Sequence, residues 1–192
     1  LAKFQSIVIA PILLVLTFRR FGWRRTLWGG ASSALIVFLG VLPYAMGSEF
    51  APAFYPYFNT VGSFPAATMN AFNLWYGVTP HRVFLPWPHD VFWDGQKVIA
   101  SFTAHQMGLM ALGVYTLLIM VAMWRNPQDR REFVWGAALY FGFFMLPTQI
   151  HERYLFAGAV LLWFGVMADR RLWIPAWGTV YTFSHNLNMV LW

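Results

Sequence analysis

Three ionisable side chains stand together in His151-Glu152-Arg153-Tyr154, between two apolar runs, Phe133–Thr148 and Leu155–Ala168. Charge is costly at membrane depth, so ionisable residues in such a setting mark a functional site by default. Their types suit an anionic ligand. An Arg guanidinium forks onto two phosphate oxygens, a Lys adds a point charge, and a His can hold or release a proton. The plainer alternative is anchoring, because Arg, Lys and Tyr at span ends also snorkel to the interface and Glu152 can simply pair with Arg153.

The elements that must position this tetrad follow from composition. Of 192 residues, 59% are hydrophobic, 20% aromatic and 10% charged, and the mean hydropathy is +0.52. Such a chain has lipid as its solvent. The expected fold class is all-α, a polytopic transmembrane helical bundle of about six membrane segments with a long outer loop. Predicted spans are Phe4–Phe18, Thr26–Met46, His105–Trp124, Phe133–Ile150, Tyr154–Ala168 and Trp173–Trp192. Residues 1–192 read as a single integral membrane domain, and residues 47–104 as an extracytoplasmic loop with an interfacial helix at Thr68–Tyr76. The chain starts at Leu1 without an initiator Met or a signal-peptide cleavage pattern, and is expected to be the C-terminal part of a longer protein.

Arginines orient the bundle. Arg19, Arg20, Arg24 and Arg25, then Arg125, Arg130 and Arg131, then Arg170 and Arg171 fall at every second connection, which places those connections in the cytoplasm. The net charge of +6 is thereby a topology signal, and nucleic acid is not an expected partner. The opposite side collects the tetrad, Lys3 and Gln5, the 47–104 loop, and His105, Gln106, His185, Asn186 and Asn188, which are candidates to line one cavity. Polar residues on membrane helices also commonly bond across helix interfaces, the favoured account for His185, Asn186 and Asn188. The stretch Phe133–Ala168 must cross twice, with about 17 residues per leg, so the tetrad is expected at or below the headgroups. In the loop, His81, His89, Asp90 and Asp94 are metal-ligand types, but their spacing matches no defined site and such loop groups are usually solvated. No metal is assigned, and a divalent ion is without support. Cys is absent, which removes disulfides and thiolate sites.

Leu146-Pro147-Thr148 followed by His151-Glu152-Arg153-Tyr154-Leu155-Phe156 resembles a signature of polyprenyl-phosphate-sugar-dependent mannosyltransferases of the GT-C superfamily. Lys3-x-Gln5 before a Pro-containing span, and Asn70-Ala-Phe-Asn73-Leu-Trp75 in the outer loop, resemble bacterial relatives of the GPI second-mannose transferase. The sequence departs from the pattern at Gln149, where a basic residue is common, and at Ala157, where Pro is usual.

The resemblance implies a GT-C fold and a membrane glycosyltransferase that moves a sugar, expected to be mannose, from a polyprenyl-phosphate donor to an acceptor hydroxyl. The acceptor is left open among glycan, lipid and protein. The implied location is the extracytoplasmic face of a bacterial inner membrane, among membrane lipids. Arg153, His151, Lys3 and Gln5 would bind the donor phosphate, and Asn70, Asn73 and Trp75 would form an acceptor contact or lid. His151 and Glu152 would support catalysis, while the catalytic carboxylate would lie in a first outer loop before Leu1, leaving this piece inactive alone. Two readings from other classes stay open: a transporter or flippase for an anionic lipid or sugar phosphate, and a structural membrane subunit.

Overall fold

The structure, a computed structural model, describes residues 4–46, 66–68, 71, 73–78, 93–126 and 131–191. Helices dominate these residues. A 3-10 turn, Phe4–Ile9, leads into α1 (Ala10–Ala45); α2 (Leu74–Val78), β1 (Lys97–Ile99) and β2 (Phe102–Thr103) follow. Then come α3 (Ala104–Arg125), α4 (Glu132–Met145), a 3-10 turn at Glu152–Tyr154, α5 (Leu155–Ala168), a 3-10 turn at Arg170–Leu172 and α6 (Trp173–Leu191). Among the described residues, two stretches are helical, long and apolar enough to cross a membrane, Ile7–Tyr44 and Ala104–Arg125. By contrast α4 and α5, with 14 residues each, rise only about 21 Å, less than the roughly 30 Å of a hydrocarbon core.

Gly22 interrupts α1. Its φ of 74° and ψ of 170° lie outside the helical region, in a conformation that glycine adopts without Cβ strain. The predicted spans Phe4–Phe18 and Thr26–Met46 are therefore two helical arms flanking this break. On the first arm Ile12 and Val15, three residues apart and so on one helix face, are buried against Ile119 and Met123 of α3 and Leu139 of α4. Beyond the break every residue from Leu27 to Gly40 is exposed.

Small residues let α4 and α5 approach closely. A Cβ on Gly158 would come 3.1 Å from Cβ of Tyr140, and one on Gly165 would come 3.1 Å from Cγ2 of Val134. Backbone proximity of this kind suits helices that gain little from hydrophobic association.

The arginines meet at one end of the bundle. Arg19 Nη1 donates to Met123 O at 2.9 Å, close to the C-terminus of α3, where carbonyls lack helical partners and a cation is favoured. Arg20 pairs with Glu132 at 2.7 Å, the first residue of α4, and Arg131 lies 3.9 Å from Asp169, just past α5. Since α3 runs away from this end backwards and α4 runs away from it forwards, the start of α3 and the segment after α4 share the opposite end.

Candidate functional site

That opposite end is built around residues 146–154. α4 stops at Met145 because Pro147 has no N–H to continue the ladder, and Gln149 then turns the chain with φ of 60°, a left-handed conformation uncommon outside glycine. The chain re-enters helix through the Glu152–Tyr154 turn, where Tyr154 N donates to His151 O at 3.1 Å. The His151 and Tyr154 rings meet edge to face with centroids 5.7 Å apart, and Tyr154 also contacts Phe143 at 5.8 Å. Arg153 is exposed, its carbonyl accepts the N–H of Leu155, and its guanidinium makes no hydrogen bond or ion pair among the described residues. The structure thus packs His151 with Tyr154 and turns Arg153 outward.

The Asn70–Trp75 motif lies against this segment. Ala71 is fully buried in one cluster with Phe144, Ile150 and Leu155, and Trp75 Nε1 donates to Leu146 O at 2.8 Å. Asn73 caps α2: its Oδ1 accepts the N–H of Tyr76 at 3.1 Å, the third helical residue, the usual geometry for an Asn cap. This is why helix begins at Leu74, later than the Thr68 start predicted from sequence. The amide nitrogen of Asn73, at 4% exposure, is buried and has no hydrogen-bond partner among the described residues. A buried donor left unmade costs about 1–3 kcal/mol and calls for an explanation. Replacing Trp75 by Phe removes the bond to Leu146 while keeping most of the apolar ring. We expect a loss of about 1 kcal/mol, seen as a lower melting temperature in detergent, whereas Trp93→Phe, at an exposed ring, should leave it unchanged.

A second arm reaches the same segment. The β1–β2 hairpin, paired Lys97↔Thr103 and Ile99↔Phe102, folds the chain back so that His105 N donates to Asp94 O at 3.0 Å. Thr103 and Gln106 close a reciprocal capping box at the start of α3, which fixes the first turn. Asp94 is expected from sequence to be solvated, and the structure corrects this: its side chain is only 8% exposed. Oδ2 accepts from Gln149 Nε2 at 2.6 Å and from Thr148 Oγ1 at 3.2 Å, and lies 3.3 Å from His105 Nδ1. His105 Nδ1 is also 3.0 Å from Thr148 Oγ1. Burial is tolerated because donors surround the carboxylate. Gln149, at the departure from the family pattern, supplies the shortest of these bonds.

Of the remaining candidates, Lys3 and Asn70 lie outside the described residues, as do the side chains of Gln5, Glu152, Asn186 and Asn188. Gln106 is engaged in its cap, and His185 stacks on Tyr181 with ring planes 5° apart. Asp94 and Gln149 are the site residues that sequence reasoning missed. The sequence carried no signal for Asp94: the hairpin turns at Ala100-Ser101, with Ala100 at φ of 52°, and lacks the Asn-Gly or Asp-Gly pair that marks such a turn, since Asp94-Gly95 lies ahead of β1. Compared with known proteins, the chain matches no family model, no curated protein and no solved structure.

Proposed function

We propose that this chain belongs to a membrane glycosyltransferase of GT-C type, with about six membrane segments, moving a sugar from a polyprenyl-phosphate donor to an acceptor hydroxyl on the extracytoplasmic face. The observation that carries the proposal is the convergence on residues 146–154: the Asn70–Trp75 motif packs there through Ala71 and Trp75, although it is distant in sequence. Two motifs that resemble the same enzymes thereby share one end of the bundle, and the arginine ties lie at the other. That separation supports an outward-facing site under positive-inside topology.

In this reading the outward Arg153 meets the donor phosphate with its two-pronged fork, and His151, held against Tyr154, stands beside it. Negative charge grows on the phosphate as the glycosyl bond breaks, so donors fixed in advance stabilise the transition state more than the ground state. The Asn73 amide, without a hydrogen-bond partner among the described residues, suits a sugar or acceptor oxygen. The short α4 and α5 helices bring the site toward headgroup depth, where a lipid phosphate sits while its tail stays in hydrocarbon.

The test is mannose transfer by full-length protein in proteoliposomes with a polyprenyl-phosphate-mannose donor. Arg153→Ala should lower kcat/KM at least about 100-fold, and Arg153→Lys, which keeps the charge without the fork, should fall between. Equal turnover by all three proteins removes the phosphate role, and no transfer by wild type removes the enzyme itself.

A further inference from the structure

We infer that the arginine end of the bundle is a binding surface for anionic phospholipid headgroups, the phosphodiesters of the leaflet that this end faces. The inference rests on the membrane placement of the helices and not on sugar transfer, which concerns the opposite end.

More positive charge gathers here than the fold neutralises. The three arginine-bearing connections hold nine arginines against three acids, Asp129, Glu132 and Asp169. Two of those acids are engaged: Glu132 pairs with Arg20 at 2.7 Å, and Asp169 lies 3.9 Å from Arg131 while its Oδ1 accepts the backbone N–H of Arg171 at 3.0 Å. Asp129 lies outside the described residues, next to Arg130. Arg19 is held by the Met123 carbonyl. Arg24, Arg25, Arg125, Arg170 and Arg171 are exposed, and their guanidinium groups make no hydrogen bond or ion pair among the described residues.

These five share one end because the ties run in a chain, from Met123 to Arg19, from the adjoining Arg20 to Glu132, and from the adjoining Arg131 to Asp169. Arg125 follows Met123 by two residues, Arg170 and Arg171 come directly after Asp169, and Arg24 and Arg25 follow Arg20 by four and five. Like charges collected in this way repel one another, so an anion placed among them is favoured.

Exposed tryptophans select which anion. Trp23 precedes Arg24, Trp124 precedes Arg125 and Trp173 follows Arg171 by two residues, and each has more than half of its surface exposed. On a membrane protein such rings settle at the boundary between hydrocarbon and headgroup, apolar body inward and N–H tip outward. The guanidinium groups beside them then stand at phosphate level. An acidic protein or a nucleic acid could neutralise the same charges, but neither offers an apolar layer to three separate indoles. A guanidinium also presents paired N–H groups to two oxygens of one phosphodiester. A headgroup with net negative charge is favoured over a zwitterionic one, whose own ammonium is repelled.

The experiment titrates full-length protein in neutral detergent with phosphatidylglycerol carrying a fluorescent tail, read by energy transfer from the protein's tryptophans. Unlabelled phosphatidylglycerol, phosphatidylcholine, polyglutamate and a single-stranded oligonucleotide serve as competitors. We expect phosphatidylglycerol to displace the probe at least about tenfold more effectively than phosphatidylcholine, and Kd to rise about fivefold for each arginine removed, hence about 20-fold in Arg24→Gln/Arg25→Gln and in Arg170→Gln/Arg171→Gln. The Lys pairs at the same positions should fall between, keeping charge without the fork. Lys97→Gln, an exposed cation on the β1–β2 hairpin, should stay within about twofold of wild type. Because the five side chains hold no other residue in place, wild-type melting temperatures are expected in both Gln pairs. Affinity within twofold of wild type in both pairs, an equal loss in Lys97→Gln, or phosphatidylcholine competing as well as phosphatidylglycerol overturns the assignment. Displacement by polyglutamate or the oligonucleotide at lower charge concentration than by phosphatidylglycerol also overturns it, and assigns the arginines to an acidic protein or a nucleic acid. Each of these outcomes leaves the sugar-transfer reading intact.

Discussion

Replacing Gly108 by Val should unseat the 146–149 segment and abolish the proposed sugar transfer. Gly108 is buried in the first turns of α3, and a Cβ there would lie 2.7 Å from Leu146 O, 3.0 Å from Pro147 Cα and 3.3 Å from Thr148 N. These are backbone atoms with no rotamer to yield, so the helix and the segment must part. Overpacking of this kind costs about 1–3 kcal/mol for small additions, and Val adds two further methyls to the first clash. The same displacement would draw Leu146 O from Trp75 and Thr148 from His105. The measurement is thermal unfolding in detergent together with an assay of the proposed mannose transfer, and a wild-type melting temperature would show the contact to be loose. Gly113→Ala on the same helix, with open space at its Cβ, serves as the control. It should hold or gain stability, because Gly inside a helix is about 1 kcal/mol worse than Ala.

Asp94→Ala should produce the second large effect. It strips Gln149 Nε2 of its 2.6 Å acceptor and Thr148 Oγ1 of its 3.2 Å one, where Thr148 is only 4% exposed. Losing these bonds should cost about 2 kcal/mol, given that hydrogen bonds to charged groups contribute about 1.5–3 kcal/mol each and that Thr148 Oγ1 keeps its 3.0 Å contact with His105 Nδ1. Gln149 adds to this sum, since its left-handed backbone at φ of 60° is held against strain by that bond. Gln149→Gly relieves the backbone and deletes one of these donors. The two changes are therefore coupled: the double variant should be less destabilised than the sum of the single ones. Strict additivity in thermal or denaturant unfolding would mean that Asp94 does not hold the turn.

Much of the helical framework was legible from local properties. The breaks between helices stand at Gly22, Pro147 and the Arg170-Arg171 pair, where backbone freedom, a missing N–H or charge interrupts an apolar run. The tetrad was visible for the same reason, as charge in an apolar setting. Fine boundaries were less visible: α2 starts at Leu74 because of the bond from Asn73 to Tyr76, and α4 ends well short of the predicted Ile150.

What the sequence by itself determined is the apolar helical class and the presence of two chemically suggestive motifs. These depend on composition and on neighbours along the chain. What only the tertiary structure decided is that Asp94 is buried, that Gln149 and Thr148 bond to it, that His105 Nδ1 lies 3.0 Å from Thr148 Oγ1, and that the Asn73 amide has no partner among the described residues. The reason is range: Asp94 and Gln149 are 55 residues apart, Trp75 and Leu146 are 71 apart. A carboxylate in an isolated loop is solvated until a hairpin closes it against a second segment, and no periodicity along the chain records that closure.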